Sequence, residues 1–173
     1  MGGGHADDDL AILAGERESS YGHRMTPEIE HLLRSLDQAR KGVLKKLDGL
    51  SEEEARRSTV DSGTNLAGLI QHLTFVESKW FEQIVGGRSS AHGIRSMQVD
   101  PSVTLPQLRA AYKASWAVSD EIIKGLGDGD APVELNGKRH DLRWAIDTVL
   151  GETKQHTGHA DIIREQIDGR TGR

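Results

Sequence analysis

The sequence predicts an all-α protein: an antiparallel four-helix bundle with a long crossover loop and an N-terminal extension. Three observations predict it. Apolar residues recur at three- and four-residue spacing in four separate stretches, which is how one buried helical face is written. No stretch alternates for long with the period of two that marks a half-buried strand. Capping residues precede the periodic stretches, and glycines follow them. The 173 residues suit one domain of ordinary size. We divide the chain into an extension at 1–25, partly flexible, and the bundle at 26–173.

The elements follow in chain order. Up to Arg24 the pattern is weak: runs of glycine and aspartate, then a short apolar patch at Leu10, Ile12 and Leu13. Thr26 followed by Pro27 starts the first helix, because proline at the first helical position lacks only a donor that would be unsatisfied anyway. Ile29, Leu32, Leu33, Leu36, Val43, Leu44 and Leu47 form its buried face, and Gly49 ends it. Arg34, Arg40 and Lys41 fall to a solvated face of mixed charge. Ser51 with Glu54 is a capping box that starts a short helical turn. The loop Asp61 to Thr64 leads into a second long helix with a stripe of Leu66, Leu69, Ile70, Leu73, Val76, Trp80, Phe81 and Ile84, stopped by Gly86-Gly87. Arg88 to Val103 is polar and aperiodic, the crossover loop. Thr104 with Gln107 is a second capping box, and it opens a helix through Leu108, Tyr112, Trp116, Ile122, Ile123 and Leu126. Asn136-Gly137 marks a short hairpin or turn within Val133 to His140, and Asp141 caps a last helix that runs to about Asp168.

Composition removes several classes of function. The chain has no cysteine, so it forms no disulfide, no thiolate zinc finger and no iron–sulfur cluster, and any metal must take nitrogen and oxygen ligands. A net charge of −5 argues against a nucleic-acid footprint. No apolar run approaches the roughly 20 residues that span a bilayer, so we expect no membrane partner and a cytoplasmic location. Monomer and homodimer are equally open. The eight histidines outnumber all aromatic residues together.

Chemistry concentrates in the last helix. With 100° per residue and Val149 at zero, Glu152 falls at about −60°, His156 at about −20° and His159 at about −80°, on or beside the core face set by Leu142, Ala145, Ile146, Ala160, Ile163 and Ile167. An inward carboxylate must be paired, protonated or bound to a cation. Glu152 and His156 sit one turn apart and can grip one ion from the same side, or simply form a buried ion pair. On the second helix His72 lies at the margin of the apolar stripe. If the two helices are neighbours, His72, Glu152 and His156 make two imidazoles and a carboxylate, the ligand count of a catalytic zinc site with open positions; Ni2+, iron or manganese accept the same donors. His5, His23, His31, His92 and His140 receive no metal role, and Trp80, Trp116 and Trp144 read most simply as packing residues.

Particular segments carry a family resemblance. Gly49-Leu50-Ser51, Ser62 through Leu73, Val76-Glu77, Trp80-Phe81, Leu142-Arg143-Trp144, Glu152 through Asp161, Arg164-Glu165 and Ile167-Asp168-Gly169 resemble, in order and spacing, the DinB-like four-helix-bundle superfamily. The resemblance runs from about Thr26 to Gly169 and is strongest to the mycothiol-dependent S-transferase and maleylpyruvate isomerase-like branch. It implies a divalent metal, commonly zinc, at the positions of His72, Glu152 and His156, with glutamate as in the isomerase type where many members carry histidine. Thr148 and Gly151 depart from relatives that often have histidine and an acidic residue there.

The resemblance therefore implies a zinc-dependent transferase that activates mycothiol as a thiolate for attack on small electrophiles, a detoxification reaction in which the sulfur arrives as a cosubstrate. His159 is expected to orient the thiol or move its proton, while the Asp61 to Asn65 loop and Arg143 are expected to hold the sugar. A mycothiol-dependent isomerase, a metal hydrolase and a non-catalytic stress-related metal-binding bundle remain alternatives at this point.

Overall fold

The computed structural model describes residues 25–89 and 96–171. The extension up to Arg24 and His92 of the crossover loop lie outside the described residues. The elements are α1 (Pro27–Lys45), a short α2 (Glu52–Arg56), α3 (Leu66–Glu77) continued by a π-helix (Ser78–Val85), α4 (Leu105–Leu126), a two-stranded hairpin of β1 (Pro132–Leu135) and β2 (Lys138–Asp141), and α5 (Leu142–Asp168). The four-helix bundle is as the periodicity predicts, with α1 and α4 on either side of the α3 and α5 pair.

Local chemistry sets the boundaries. Thr26 accepts from the Ile29 amide, and the capping boxes Ser51/Glu54 and Thr104/Gln107 both form. Asn65, one residue after the predicted loop, is the cap of α3 and accepts from the Gly68 amide at 2.8 Å. Asp141 caps α5 by accepting from the Trp144 amide at 2.8 Å. The hairpin turns through Asn136 (φ 52°) and Gly137 (φ 73°), the left-handed pair that suits a two-residue loop.

One element differs from its prediction. The second half of the long helix that includes α3 winds as a π-helix, not as continuous α-helix. Phe81 lies five residues after Val76, which would place it about 140° off that side chain in an α-helix. The wider turn brings both to the core, with Phe81 fully buried and Trp80 left half-buried.

The crossover loop returns tightly onto α3. Asn65 Nδ2 donates to the Met97 carbonyl at 3.1 Å, and Gln71 Nε2 donates to the Ser96 and Gln98 carbonyls. Gly68 makes this approach possible, since a Cβ there would sit 2.2 Å from the Met97 carbonyl oxygen.

Two apolar clusters fill the bundle. One gathers Val43, Leu44, Leu47, Leu66, Leu69, Leu73, Leu105, Leu108, Tyr112 and Ile163, and the other Ile29, Leu33, Leu36, Val76, Phe81, Ile122, Ile123, Leu142, Ile146 and Val149. Buried polar residues mark the level between them on every long helix: Arg40 on α1, Glu77 at the end of α3, Ser115 and Ser119 on α4, and Thr153 on α5. This polar waist corrects one expectation. Arg40 is not on a solvated face; it is 1% exposed and makes bidentate bonds of 2.7 Å to Glu77, which also accepts from the Ser119 hydroxyl at 2.6 Å. Its remaining arm bonds Asp120 at 2.9 Å, and this complete pairing raises the guanidinium pKa despite its burial.

Candidate metal centre

The candidate ligands lie where α3 meets α5. Glu152 and His156 face α3 from adjacent turns of α5, with His156 Nε2 3.5 Å from Glu152 Oε2. His72 reaches the same carboxylate oxygen from α3, its Nε2 at 4.0 Å. The two imidazole rings meet edge to face with centroids 4.8 Å apart. One ligand atom from each residue can be chosen so that all three lie within 4.8 Å of one another, and no other such group occurs among the described residues. The imidazoles are mostly covered, at 15% and 13% side-chain exposure, whereas Glu152 is 41% exposed and leaves the cluster open on one side.

Electrostatics suits these groups to a cation. Burial, helped by the neighbouring His72, pushes the His156 pKa below that of an ordinary histidine, against the pull of Glu152. The ring is therefore neutral near pH 7, with a lone pair to give. A tetrahedral ion with ligands at about 2.1 Å requires donors about 3.4 Å apart, so the 3.5 and 4.0 Å separations fit one after only small side-chain rotations. The donor set fits a borderline divalent cation: two nitrogens, one carboxylate and no sulfur.

The other expected site residues divide. His159 stands at the edge of the cluster, exposed, with its Nδ1 3.4 Å from His156 Nδ1. Ser62 and Thr64 of the α2–α3 loop share a cleft with it, while Asn65 is committed to the α3 cap and the crossover loop. Arg143 is not brought to the cluster. It lies nine residues before Glu152, about 13 Å along the helix, and there it pairs with Glu28 of α1, with Asp130 at 2.8 Å and with Asp141 at 3.4 Å. Those partners raise its pKa and make it a clamp between α1 and the start of α5.

Thr148 spends its hydroxyl on the Trp144 carbonyl at 2.8 Å, and a Cβ at Gly151 would meet nothing within 4 Å, so neither departure from the resembled pattern disturbs the cluster. His140 stacks on Trp144 at 3.7 Å and His31 is exposed on α1, both away from it. Trp80 packs edge-on against Trp144 at 5.1 Å, and Trp116 against Tyr112 at 4.9 Å, as packing residues do.

Sequence reasoning missed Arg40 and Glu77, although the signal was present. Arg40 is four residues after Leu36 and three before Val43, and Glu77 is four after Leu73, so both lie on the apolar stripes themselves.

Comparison with known proteins adds two findings. A family model described as MST: Mycothiol-S-transferase matches residues 31–169, most of the chain and all three residues of the cluster. No curated protein matches the chain.

Proposed function

The chain belongs to the mycothiol-S-transferase family and is thereby a transferase, and on that premise we propose that His72, Glu152 and His156 hold a divalent cation, zinc before Ni2+, beside which mycothiol meets a small electrophile. The observation that supports this most is the convergence of His72 with the Glu152/His156 pair from two different helices. A bound cation would supply the positive charge that keeps a thiol deprotonated at neutral pH.

The chain's own residues do the rest. Glu152 gives the donor set a single negative charge, so a divalent cation retains a net positive charge toward an incoming thiolate. His156 Nε2 faces Glu152 while its Nδ1 faces His159, so His159 is placed to fix the ring orientation of His156. The exposed His159 Nε2 is then free to pass the thiol proton to solvent. The half-exposed Glu152 side is the entry for mycothiol. Residues 26–173 form the working domain in this reading, acting in the cytoplasm as a monomer or homodimer and consuming reactive small molecules.

Metal analysis and mycothiol titration test the proposal together. The purified protein should carry about one divalent ion per chain, bind mycothiol by calorimetry and conjugate monochlorobimane, and His72→Ala should lose all three properties. Metal-loaded protein that neither binds mycothiol nor forms the conjugate would overturn the reading.

A further inference from the structure

Ile162 and Val60 are the large apolar side chains left well exposed among the described residues, at 56% and 38%. A single exposed isoleucine needs no explanation. These two come from different elements, α5 and the α2–α3 loop, yet line one cleft of about 280 Å3 together with Ser62, Thr64, His159 and Ile163. The lining carries no aspartate, glutamate, lysine or arginine.

The cleft begins where the metal cluster ends. His159 belongs to its wall and touches His156 through the 3.4 Å Nδ1–Nδ1 contact. Thr64 lies in the loop just before α3, eight residues ahead of His72, and Ile163 follows His156 by seven on α5. Because α3 and α5 run antiparallel, both displacements lead toward the same end of the bundle. The cleft is thus a continuation of the cluster along the groove.

We propose that this cleft is the acceptor subsite: it binds a neutral, mainly apolar electrophile, with the Ser62 and Thr64 hydroxyls meeting a small polar group and Val60, Ile162 and Ile163 covering an alkyl or aryl tail. The proposal rests on the reading of His72, Glu152 and His156 given above. Mycothiol's sugar and inositol would leave many hydroxyls unsatisfied against Val60, Ile162 and Ile163, so we put them on the open Glu152 side in place of the Asp61 to Asn65 loop that the sequence suggests. With a chloroacetamide acceptor, the thiolate sulfur attacks the carbon that bears chlorine. The C–S bond forms, the C–Cl bond breaks, chloride leaves with the electron pair, and the thiol proton passes to solvent.

The test uses the full chain, metal-replete, at fixed mycothiol with N-alkyl-2-chloroacetamides from methyl to butyl. We expect kcat/KM to rise about fourfold per added methylene. In Ile162→Ser and Val60→Ser that dependence should flatten and KM for the butyl compound should rise about tenfold, while KM for mycothiol stays unchanged. Thermal melts matching the parent would show that both variants fold. An unchanged chain-length dependence in the variants overturns the proposal, as does a shift confined to the KM for mycothiol or a change of oligomeric mass on substitution. Should the parent form no conjugate, the transferase reading fails separately. The cleft is then judged by N-butylacetamide titration: saturable shifts of the Ile162 methyl resonance support it, and their absence overturns it.

Discussion

Glu77 and Glu152 are both carboxylates directed between α3 and its neighbours, and the protein treats them oppositely. Glu77 receives two bonds from the Arg40 guanidinium, one from the Ser119 hydroxyl, and complete burial, so both of its oxygens have donors. Glu152 receives two imidazoles, of which His156 is held neutral by burial, and it stays 41% exposed. The first arrangement is closed electrically and leaves nothing for a ligand to contribute. The second brings together three side chains whose ligand atoms could share one cation. Two ionisable clusters, which meet α3 five residues apart at His72 and Glu77, thus differ in one respect: the one at His72 is half open and could take a cation, and the one at Glu77 carries its counterion within the fold.

Substitutions can break this contrast, and the largest effect should come from the closed pair. Glu77→Ala strands a buried guanidinium and should cost about 3–5 kcal/mol in urea unfolding. The open cluster should respond to metal instead. Zinc at a hundred times its dissociation constant should stabilise the parent by about 2.7 kcal/mol and His72→Ala by nothing, read from melts with and without metal. The contrast sharpens in the double variant Arg40→Met/Glu77→Leu, which removes both buried charges at similar volume. Its stability should lie within about 1 kcal/mol of the parent, and a loss as large as that of Glu77→Ala would show that the pair stabilises by more than mutual neutralisation.

The smallest effect concerns an ion pair intermediate between the two. Arg164 is buried and donates to Asp168, whose side chain is 24% exposed. That bond holds the Asp168 carboxyl below its ordinary value. A carboxylate with a lowered folded-state pKa contributes stability above the unfolded value, near 3.8, and loses it as pH falls through the folded one. Stability measured on acidification below about pH 4 should therefore fall less steeply in Asp168→Asn than in the parent.

The caps and stripes were legible because each depends on residues within four positions of one another. Thr26, Ser51, Thr104 and Asp141 all cap the helices that their neighbours predict. Glu152 and His156 could be paired for the same reason. His72 could be placed only at a stripe margin, since a helical wheel does not say which neighbour stands beside that margin. Arg40 was legible by position and misjudged by type: a charge on an apolar stripe has to be matched with a partner, here Glu77, on another helix. The π-helix depends on the five-residue offset of Phe81 from Val76, which local α-helical spacing conceals. Arg143 reads in sequence as a cation open to a ligand because its three acidic partners, all outside α5, come together only in the fold.

The polar waist also fixes the register of the helices. Leucine-rich stripes tolerate a slip of one turn, about 5.4 Å, because one leucine replaces another in the core. Such a slip of α1 against α3 and α4 would carry the Arg40 guanidinium off Glu77 and Asp120 and drive it among aliphatic side chains. At the other end, Arg164 on α5 donates to the Lys46 and Asp48 carbonyls that follow α1, at 2.7 and 2.9 Å, and fixes α5 in the same way. With α3 and α5 each indexed against α1, His72 has one level at which to stand, opposite Glu152 and His156. The two arginines thereby align the donor set without touching it.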